Sequence, residues 1–305
     1  MNYGMLEMIQ NHKIAIVILN LNDYDLTSKC LESLALIIHR NTTVILVDNG
    51  SEDGSSQRLA DEFKWVTFLY SHKNVGFSRG NNIGIKYALA QGNEYILLLN
   101  NDTIVTPLFL EPLIHYAEEN PTTGICVPKL LKYSNPKIID SAGHIFMHGI
   151  IIDRGKNELD TGQYAVPDEV IGGCAAAVLY RSKMLQEIGL LDESIFMYYE
   201  DADLSWRAYN HGWKAIFVPD SIVYHNRAGT VNMNRNPKLT AALRGVSIQN
   251  MAKIVLRHGT IKQKLVFFVF YFPFVLLKFF IRAMTHKDGY LSFLYLFRNQ
   301  MNVKE

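Results

Sequence analysis

The sequence predicts an α/β fold, in which a mostly parallel sheet is covered by helices on both faces and is followed by a helical tail. Short apolar runs alternate with segments of helical periodicity over the first hundred residues, which is typical of buried parallel strands joined by crossover helices. Polar residues cluster directly after each run, where α/β sheets bind their ligands. The 305 residues are 49% hydrophobic and 19% charged, so the chain can bury a large core.

Four strands and the helices between them account for the first hundred residues. The expected strands are IAIVIL (14–19), TVILV (43–47), VTFLY (66–70) and YILLL (95–99). The first helix is expected to be capped by Asp25 and to turn one apolar face inward from Leu26 to Ile38. Further helices are expected around 56–64 and over 80–91.

The pattern weakens from about 128 to 171, where Gly and Pro are frequent and irregular strands and loops are expected. The next stretch, GGCAAAVLY (172–180), is small and apolar, which suits a close approach of two backbone segments. Short helices are then expected over 182–189 and 204–210, and a short strand before His225.

Each strand end in the first half carries candidate ligand-binding residues. Asn20 and Asn22 follow the first strand, Asp48 and Asn49 the second, Asn74 to Asn82 the third, and Asn100 to Asp102 the fourth. The carboxyl ends of parallel strands meet at one edge of a sheet, so this repeated placement predicts a nucleotide site there.

Taken separately, each cluster also has an ordinary structural explanation. Asp102 in LLLNNDT can bind a divalent cation that neutralises a diphosphate, or can belong to a polar turn. Asp48 in VDNGSEDGS can accept hydrogen bonds from a base or a ribose, whereas Asp53 is expected in a turn. NVGFSRGNNIG (74–84) leads into a helix whose N-terminus and Arg79 can attract phosphate, but it lacks the lysine and hydroxyl of a Walker loop.

A cluster of three acids follows an aromatic run in SIFMYYEDADLSWRAYNHGW (194–213). Negative charge at a helix start is favoured by about 0.3–1 kcal/mol, which explains one or two exposed acids. A general base instead needs a carboxylate that is held in place, partly desolvated and within hydrogen-bond reach of the hydroxyl that it activates. The aromatic neighbours favour the general base, because they provide a partly dry pocket and a face on which a sugar ring can stack.

Charge and hydropathy change together towards the C-terminal end. Residues 227–305 contain 13 Lys or Arg and two acids, whereas the first 226 residues contain 17 basic and 27 acidic residues. The same region holds KLVFFVFYFPFVLLKFFIRAM (264–284), with 13 uninterrupted apolar residues, and YLSFLYLF (290–297). A spanning helix needs about 20 apolar residues. Attachment to an anionic membrane surface is therefore expected, with a core helix pair, an oligomer interface or a membrane span as alternatives.

The three cysteines, Cys30, Cys126 and Cys174, fit neither a disulfide framework nor a metal pattern, which indicates a reducing compartment. The N-terminal MNYGMLEMIQNHK lacks the apolar segment of a secretory signal, so none is expected.

Seven strings in this order resemble the family 2 glycosyltransferases, which are inverting enzymes with the GT-A fold, and are most similar to their bacterial rhamnosyltransferase-like branch. The strings are IAIVILNLN, VDNGSEDGS, NVGFSRGNNIG, LLLNNDT, GGCAAAVLYR, YYEDADLSWR and YHN. The resemblance covers residues 13 to about 228. It implies a GT-A domain over 1–228, with a nucleotide-binding half at about 13–127 and an acceptor half at about 128–228, and a basic, apolar helical tail over 229–305 that associates with membranes.

The resemblance also implies roles for individual residues. On the donor side, Asp48 would hold the base beside Asn20 and Asn22, and the loop with Asn74, Gly76, Arg79 and Asn82 would contact the phosphates. Asn100, Asn101 and Asp102 occupy the place of the family's DxD motif, so Asp102 would carry most of the binding of Mg²⁺ or Mn²⁺, together with His225. Asp201 matches the catalytic base. The implied acceptor side comprises Gly173, Cys174, Glu200, Asp203 and Trp206, with the two acids orienting the acceptor or the base and Trp206 packed behind them.

The reaction implied is a single displacement, in which Asp201 takes the proton of an acceptor hydroxyl as it attacks C1 and the anomeric centre inverts. The implied partners are a nucleotide diphosphate sugar, either dTDP-rhamnose or a UDP-sugar, and a lipid-diphosphate-linked or saccharide acceptor, without nucleic acid. The implied location is the cytoplasmic face of the inner membrane, as a peripheral or monotopic enzyme that builds a surface polysaccharide such as O-antigen.

Two other functions compete with this prediction. A nucleotidyltransferase that makes sugar nucleotides can share the sheet, but the glycine-rich phosphate loop expected near the first strand is absent after Ile18. A catalytically inactive GT-A-like scaffold at the membrane is favoured by Asn100 in the place of an acid. The presence of Asp102, Asp201 and His225 argues against a scaffold.

Overall fold

A computed structural model describes residues 9–227 and 237–285. These residues form two compact units, of which the first comprises 9–145, 153–196 and 200–227, and the second 146–152, 197–199 and 237–285. The predicted domain boundary after residue 228 and the apolar stretch 290–297 lie outside the described residues.

The first unit is built on a ten-stranded sheet, and a separate two-stranded hairpin is formed by β8 and β9. The strands are β1 (Ile14–Asn20), β2 (Thr42–Asp48), β3 (Thr67–Tyr70), β4 (Tyr95–Asn100), β5 (Thr103–Val105), β6 (Thr123–Lys132), β7 (Asn135–Ser141), β8 (His144–Met147), β9 (Ile150–Asp153), β10 (Asp168–Val170), β11 (Ala177–Arg181) and β12 (Lys214–His225). The helices of this unit are α1 (Tyr24–Leu34), α2 (Ser55–Glu62), α3 (Phe77–Ala90), α4 (Leu110–Glu119), α5 (Ser182–Ile188) and α6 (Glu200–Asn210).

The sheet has the strand order β10-β12-β6-β11-β4-β1-β2-β3, with β5 on β12 and β7 on β6. Strands β3, β2, β1 and β4 are mutually parallel, and β6 is parallel to β12. Strand β11 lies antiparallel between β4 and β6, so that six strands run in one direction. The predicted α/β fold with a mostly parallel sheet is confirmed.

Both faces of the sheet are buried, which explains the uninterrupted apolar strands. Along β1, Ile14, Ile16 and Ile18 enter one core layer, whereas Ala15 and Val17 enter the other. Successive strand residues point to opposite faces, so a strand between two helical layers needs apolar residues at every position.

The helix starts differ from the sequence prediction by a few residues. Helix α1 is capped by Asp23 rather than Asp25, because the Asp23 carboxylate accepts a hydrogen bond from the Leu26 N–H at 3.0 Å. The helix ends at Leu34, which leaves Ile38 outside it. Helices α3 and α6 begin three and four residues earlier than expected, at Phe77 and Glu200.

In the region 128–171, where irregular strands and loops were predicted, five strands, β6 to β10, contain residues, and the pairing of β6 with β7 and β12 shifts register. Pro128 lies in β6 at its pairing with Val218, directly before a shift of register between β6 and β12. Pro136 lies in β7, which pairs only with β6 among the described strands. Proline is tolerated at such edges and irregularities, so these strands are weakly marked in the sequence.

The second unit is helical apart from residues 146–152 of the β8–β9 hairpin and the short segment 197–199. It comprises α7 (Pro237–His258), α8 (Ile261–Leu265), a π-helical stretch (Val266–Tyr271) and α9 (Phe272–Thr285). Thr260 begins α8 with a capping box, since it accepts a hydrogen bond from the Gln263 N–H and donates its own N–H to the Gln263 side chain. Phe267 is fully buried, and the ring of His148 at the hairpin tip stacks on Tyr271. In the part of the chain that the structure describes, no helix is both long and apolar enough to cross a bilayer.

Candidate active site

The carboxyl ends of β1, β2 and β4 are linked by a chain of buried hydrogen bonds. Asn20 Nδ2 donates to Asp48 Oδ1 at 3.2 Å, and Asn20 Oδ1 accepts from Thr27 Oγ1 at 2.9 Å. Asn101 Nδ2 in turn donates to Thr27 Oγ1 at 2.9 Å. The Asn20 side chain is fully buried, so the expected direct contact with the donor is replaced by a role in supporting Asp48.

Asp48 is held by the turn that follows β2. Ser51 donates to it twice, from its N–H to Oδ2 at 3.1 Å and from its hydroxyl to Oδ1 at 2.5 Å. Asn22 braces the same turn, because its N–H donates to Ser51 Oγ and its Oδ1 accepts from the Glu52 N–H. A carboxylate has about four lone-pair sites, so Oδ2 of Asp48 keeps the capacity for one more donor. Base recognition by Asp48 stays a prediction.

The start of α3 is occupied by main-chain carbonyls. The Phe77 N–H donates to Phe196 O at 2.7 Å, and the Ser78 hydroxyl donates to Ile195 O at 2.5 Å. Gly76 has a φ of +89°, and a Cβ there would lie 2.6 Å from the Phe196 ring. The sequence assigned this helix start to donor phosphate; the structure uses its first N–H to anchor the segment that leads to Asp201.

The other predicted donor-binding residues of the 74–84 segment also contact neighbouring parts of the protein. Asn82 is buried, its Nδ2 donates to Leu191 O and to Glu193 Oε1, and its Oδ1 accepts from the Leu191 N–H, so neither amide N–H is left to bind a donor phosphate. Arg79 lies 3.4 Å from the Glu193 carboxylate in an exposed ion pair. Asn74 Oδ1 accepts from Asn49 Nδ2 and from the Gly76 N–H. Phosphate binding by Arg79 and Asn74 stays a prediction.

Asp102 and His225 meet because β5 and β12 pair next to them, with Thr103 opposite His225. Asp102 Oδ1 lies 3.3 Å from His225 Nε2, and Asp140 Oδ2 lies 2.7 Å from His225 Nδ1. Metal-binding histidines commonly use their second ring nitrogen on a carboxylate in this way. Asp102 Oδ1 is buried and makes no hydrogen bond with the described residues. A carboxylate oxygen beside an imidazole nitrogen is a pair of ligands that fits a divalent cation.

Only two such ligands converge here. Among the described residues, no group of three or more His, Cys, Asp or Glu side chains is placed to hold a metal ion. A cation bound by Asp102 and His225 therefore needs further ligands from a bound molecule and water.

A wider charged cluster surrounds Asp102 and His225, and no sequence pattern predicted it. Arg227 donates to both oxygens of Asp140 at 2.8 and 3.1 Å and to Asp153 at 3.2 Å. His144 Nε2 lies 3.5 Å from Asp153 Oδ1; the His144 side chain is buried, and that of Asp153 is 12% exposed. The position of Asp140 near a strand end was the signal that could have marked it as a candidate. Asp140 lies 85 residues before His225, so no local pattern shows that the two meet.

These contacts shift the proton affinity of the cluster. Burial alone would lower the pKa of His225, but the adjacent carboxylates of Asp102 and Asp140 raise it to about 9. Burial alone would raise the pKa of Asp140, but the contacts with His225 and Arg227 lower it. In the absence of a metal, His225 is therefore an imidazolium at neutral pH, paired with ionised Asp140.

Asp201 is positioned by a glycine-containing loop between β10 and β11. Its Oδ2 accepts from the Ala175 N–H at 3.0 Å, and its Oδ1 from the Ala202 N–H at 2.7 Å. A Cβ at Gly172 would lie 1.9 Å from Ser205 Oγ, and one at Gly173 would lie 2.7 Å from Val127. Only glycines let this loop approach so closely.

The same loop touches the end of β4. The Asn100 N–H donates to Ala176 O at 2.9 Å, and Ala176 directly follows the residue that binds Asp201. The structure therefore brings the Asn100–Asp102 motif and the Asp201 carboxylate to the two sides of one short loop.

The other predicted acceptor-side residues are largely buried. Asp203 accepts from Arg207 Nε at 2.8 Å, and Arg207 also donates to the carbonyls of Ile188 and Leu190. Glu200, Asp203 and Trp206 are buried. Orientation of the acceptor or the base by the two acids, and packing of Trp206 behind them, stay predictions. Burial raises the pKa of Cys174 well above its usual value, so its thiol is neutral.

Comparison with known proteins identifies the sequence family. The family model described as Glycosyl transferase family 2 matches residues 15–189. An N-acetylglucosaminyl-diphospho-decaprenol L-rhamnosyltransferase of Mycobacterium tuberculosis is 27% identical over 234 residues, which cover 69% of this chain and 75% of that protein. The dTDP-rhamnosyl transferase RfbF of Shigella flexneri is 25% identical over 190 residues, which cover 61% and 60% of the two chains.

Two solved structures share the fold. The mannosyltransferase PcManGT of Pyrobaculum calidifontis, in complex with GDP-Man and Mn²⁺, has a TM-score of 0.60 at 12% identity and covers 93% of this chain and 80% of that chain. GalNAc-T7 with UDP, GalNAc and Mn²⁺ has a TM-score of 0.59 at 18% identity and covers 70% of this chain but only 43% of that one. The GT-A fold and the family resemblance inferred from the sequence are confirmed.

The raised pKa of His225 predicts how stability depends on pH in metal-free protein. An unfolded histidine titrates near 6.5, so the stabilisation is fully present below about pH 6.5 and is lost as pH rises through about 9. Urea unfolding in EDTA should show a loss of the order of 3 kcal/mol across this range in the wild type. His225→Gln should flatten this part of the profile; equal slopes in the two proteins would contradict the assignment.

Proposed function

Because the chain belongs to glycosyltransferase family 2, we propose that it transfers a sugar from a nucleotide diphosphate sugar to an acceptor hydroxyl, with inversion at the anomeric carbon. The observation that carries this proposal is the loop that connects Asn100 to Ala176 and Ala175 to Asp201. It places one oriented carboxylate beside the strand end that carries the other candidate ligands.

Asp201 is the proposed general base. Each of its oxygens accepts one main-chain hydrogen bond, which fixes the carboxylate plane and leaves lone pairs for a substrate hydroxyl. The side chain is partly exposed, so a hydroxyl can reach it, while Glu200 and Trp206 are buried. As the acceptor oxygen attacks C1 of the donor, its proton moves to a carboxylate oxygen of Asp201 and the diphosphate leaves from the opposite face.

Asp102 and His225 are the proposed ligands of a divalent cation, Mg²⁺ or Mn²⁺. When bound, the cation would neutralise the diphosphate and stabilise it as the leaving group. Asp140 holds the His225 ring by its Nδ1, so that Nε2 faces Asp102. The buried Asp102 oxygen that faces His225 Nε2 supports the proposal, as does Mn²⁺ in both solved structures of this fold.

The proposed donor is dTDP-rhamnose, with UDP-sugars as the alternative. The named activities of the mycobacterial and Shigella relatives support rhamnose, and the former also supports a lipid-diphosphate-linked acceptor. With such an acceptor, the proposed role is in building a surface polysaccharide such as O-antigen.

The proposed location is the cytoplasmic face of the inner membrane, to which the second unit would bind without crossing. Apolar side chains that are more than half exposed recur along α8, the π-helical stretch and α9: Ile261, Leu265, Val269, Phe270, Leu277, Phe280, Ile281 and Met284. Lys262 and Lys278 are exposed on the same helices. An apolar stripe flanked by lysines suits the boundary between anionic headgroups and acyl chains.

Asp201→Asn should lower kcat by about 10²–10⁴-fold, because an amide cannot take the proton of the acceptor. The amide oxygen can still accept from the Ala175 N–H, so nucleotide affinity should stay close to that of the wild type. The measurement is sugar transfer from dTDP-rhamnose, with MnCl₂, to a synthetic N-acetylglucosaminyl diphospholipid, followed by mass spectrometry. Asp61→Asn, on the exposed surface of α2, is the control. Transfer by Asp201→Asn at nearly the wild-type rate would remove the base assignment, and an inactive wild type with every donor tested would favour the scaffold.

Asp102→Ala should abolish the part of nucleotide binding that depends on metal. In a thermal-shift screen with dTDP-rhamnose and UDP-sugars, the wild type should gain stability when Mn²⁺ and its donor are both present, through mass action. The variant should lose this Mn²⁺-dependent gain, whereas Asp25→Ala, an exposed acid on α1, should keep it. An unchanged titration of Asp102→Ala would place the cation elsewhere.

Phe270→Asp should weaken sedimentation with vesicles of phosphatidylglycerol and phosphatidylcholine by about tenfold or more, since a charge in the apolar layer is costly. Val166→Asp is the matched control, because Val166 is 70% exposed and Phe270 73%, but Val166 lies in the first unit. Equal vesicle binding by both variants would show that the apolar stripe does not contact the membrane.

A further inference from the structure

The two residues before Glu200 and Asp201 have an unusual backbone. Tyr198 and Tyr199 have φ angles of +69° and +70°, in the left-handed region that glycine or asparagine usually occupies. Two consecutive aromatic residues do not hold this conformation by local preference. Contacts from elsewhere must maintain it.

Asn250 of α7 supplies such contacts. Its Nδ2 donates to Met197 O and to Tyr198 O, each at 3.1 Å, and the side chain is only 7% exposed. These two carbonyls belong to the peptide units directly before the Cα atoms of Tyr198 and Tyr199. The orientation of the two peptide units sets the φ angles of both tyrosines. The amide of Asn250 therefore binds at the two bonds whose rotation is unusual, and all four residues lie in the second unit.

The chain is fixed on either side of this turn. Before it, Ile195 O and Phe196 O accept from Ser78 and Phe77 at the start of α3. After it, Asp201 is bound to the Ala175 N–H. Residues 197–199 are thus a three-residue connection into the first turn of α6, and a change in their φ angles would move the start of that helix.

We propose that Asn250 is a positioning residue for sugar transfer, which sets the place of the Asp201 carboxylate by holding the left-handed turn at Tyr198 and Tyr199. This inference rests on the proposed role of Asp201 as the general base. Asn250 lies beyond the residues 15–189 matched by the family model, in the region whose sequence predicts membrane attachment. That region therefore contributes to catalysis as well as to location.

Two variants of the full-length protein test this role. Asn250→Ala removes the donor, and Asn250→Asp keeps the shape but replaces the N–H groups with carboxylate oxygens that face two carbonyls. Both should lower kcat for transfer from dTDP-rhamnose by about tenfold or more, because a small displacement of a reacting group is costly. The KM for the donor should stay within about twofold. Ser247→Ala, one turn earlier on α7 and half-buried, is the matched control and should behave as the wild type.

Hydrogen–deuterium exchange provides a readout independent of activity. In Asn250→Ala, the backbone amides of 197–203 should exchange faster than in the wild type, and those of β4 at the wild-type rate. This result would separate local release of the turn from global unfolding. Unchanged exchange over 197–203, or faster exchange with an unchanged kcat, would overturn the proposal.

The pH profile of Asn250→Asp separates a lost hydrogen bond from a folding defect. Burial beside two carbonyl oxygens favours the neutral form of the introduced carboxyl group, which can donate one hydrogen bond, so the ratio of variant to wild-type kcat should rise as pH falls. A flat ratio would contradict the role of the donor.

Failure of this inference and failure of the proposed function give different results. If the wild type transfers sugar, Asp201→Asn does not, and Asn250→Ala keeps the wild-type kcat, only the positioning role is wrong. If the wild type transfers sugar from none of the donors, both proposals are wrong.

Discussion

The hydrogen bond from the Ala175 N–H to the Asp201 carboxylate is the interaction on which the proposed chemistry depends. A hydrogen bond to a charged group contributes about 1.5–3 kcal/mol, but its more important effect is geometric. The adjacent Ala176 carbonyl accepts from the Asn100 N–H, so one loop relates the candidate base to the end of β4. Gly172 and Gly173 are required because any side chain there would collide with Ser205 or Val127.

Near this loop, the charges of buried His225, Asp102 and Asp140 compensate one another, and Arg227 adds a positive charge from the exposed side. One oxygen of Asp140 contacts His225 Nδ1, and both oxygens accept hydrogen bonds from Arg227. Asp102 faces the other ring nitrogen of His225. Removing one member of a buried pair commonly costs about 3–5 kcal/mol, since its partner keeps an uncompensated charge. The cluster thus fixes the orientation of His225, and would pre-organise the Asp102–His225 pair for the proposed cation.

The second unit carries two separate features, an exposed apolar surface and a buried asparagine. Its α8–α9 region exposes many apolar side chains, whereas α7 buries Asn250 against the carbonyls before Tyr198 and Tyr199. The exposed apolar side chains and the buried amide thus lie on different helices, and the roles proposed for them, membrane attachment and positioning of Asp201, are separate. Because Asn250 binds main-chain atoms, its effect on Asp201 would be independent of which sugar is transferred.

Sequence patterns alone were sufficient for the alternating strands and helices, the polar edge and the family, because these depend on local periodicity and on short strings. They also singled out Asp102, Asp201 and His225 as candidate site residues, and the roles of these residues stay predictions. Only the tertiary structure showed that Asn20 and Asn82 are structural, that Asp140 and Arg227 hold His225, and that Asn250 supports the turn before Asp201. The residues in each of these contacts are 28 to 109 positions apart in the sequence. The contact of Asp140 with His225 links β7 to β12 across β6. Such pairings follow from strand order and register, which no local pattern specifies.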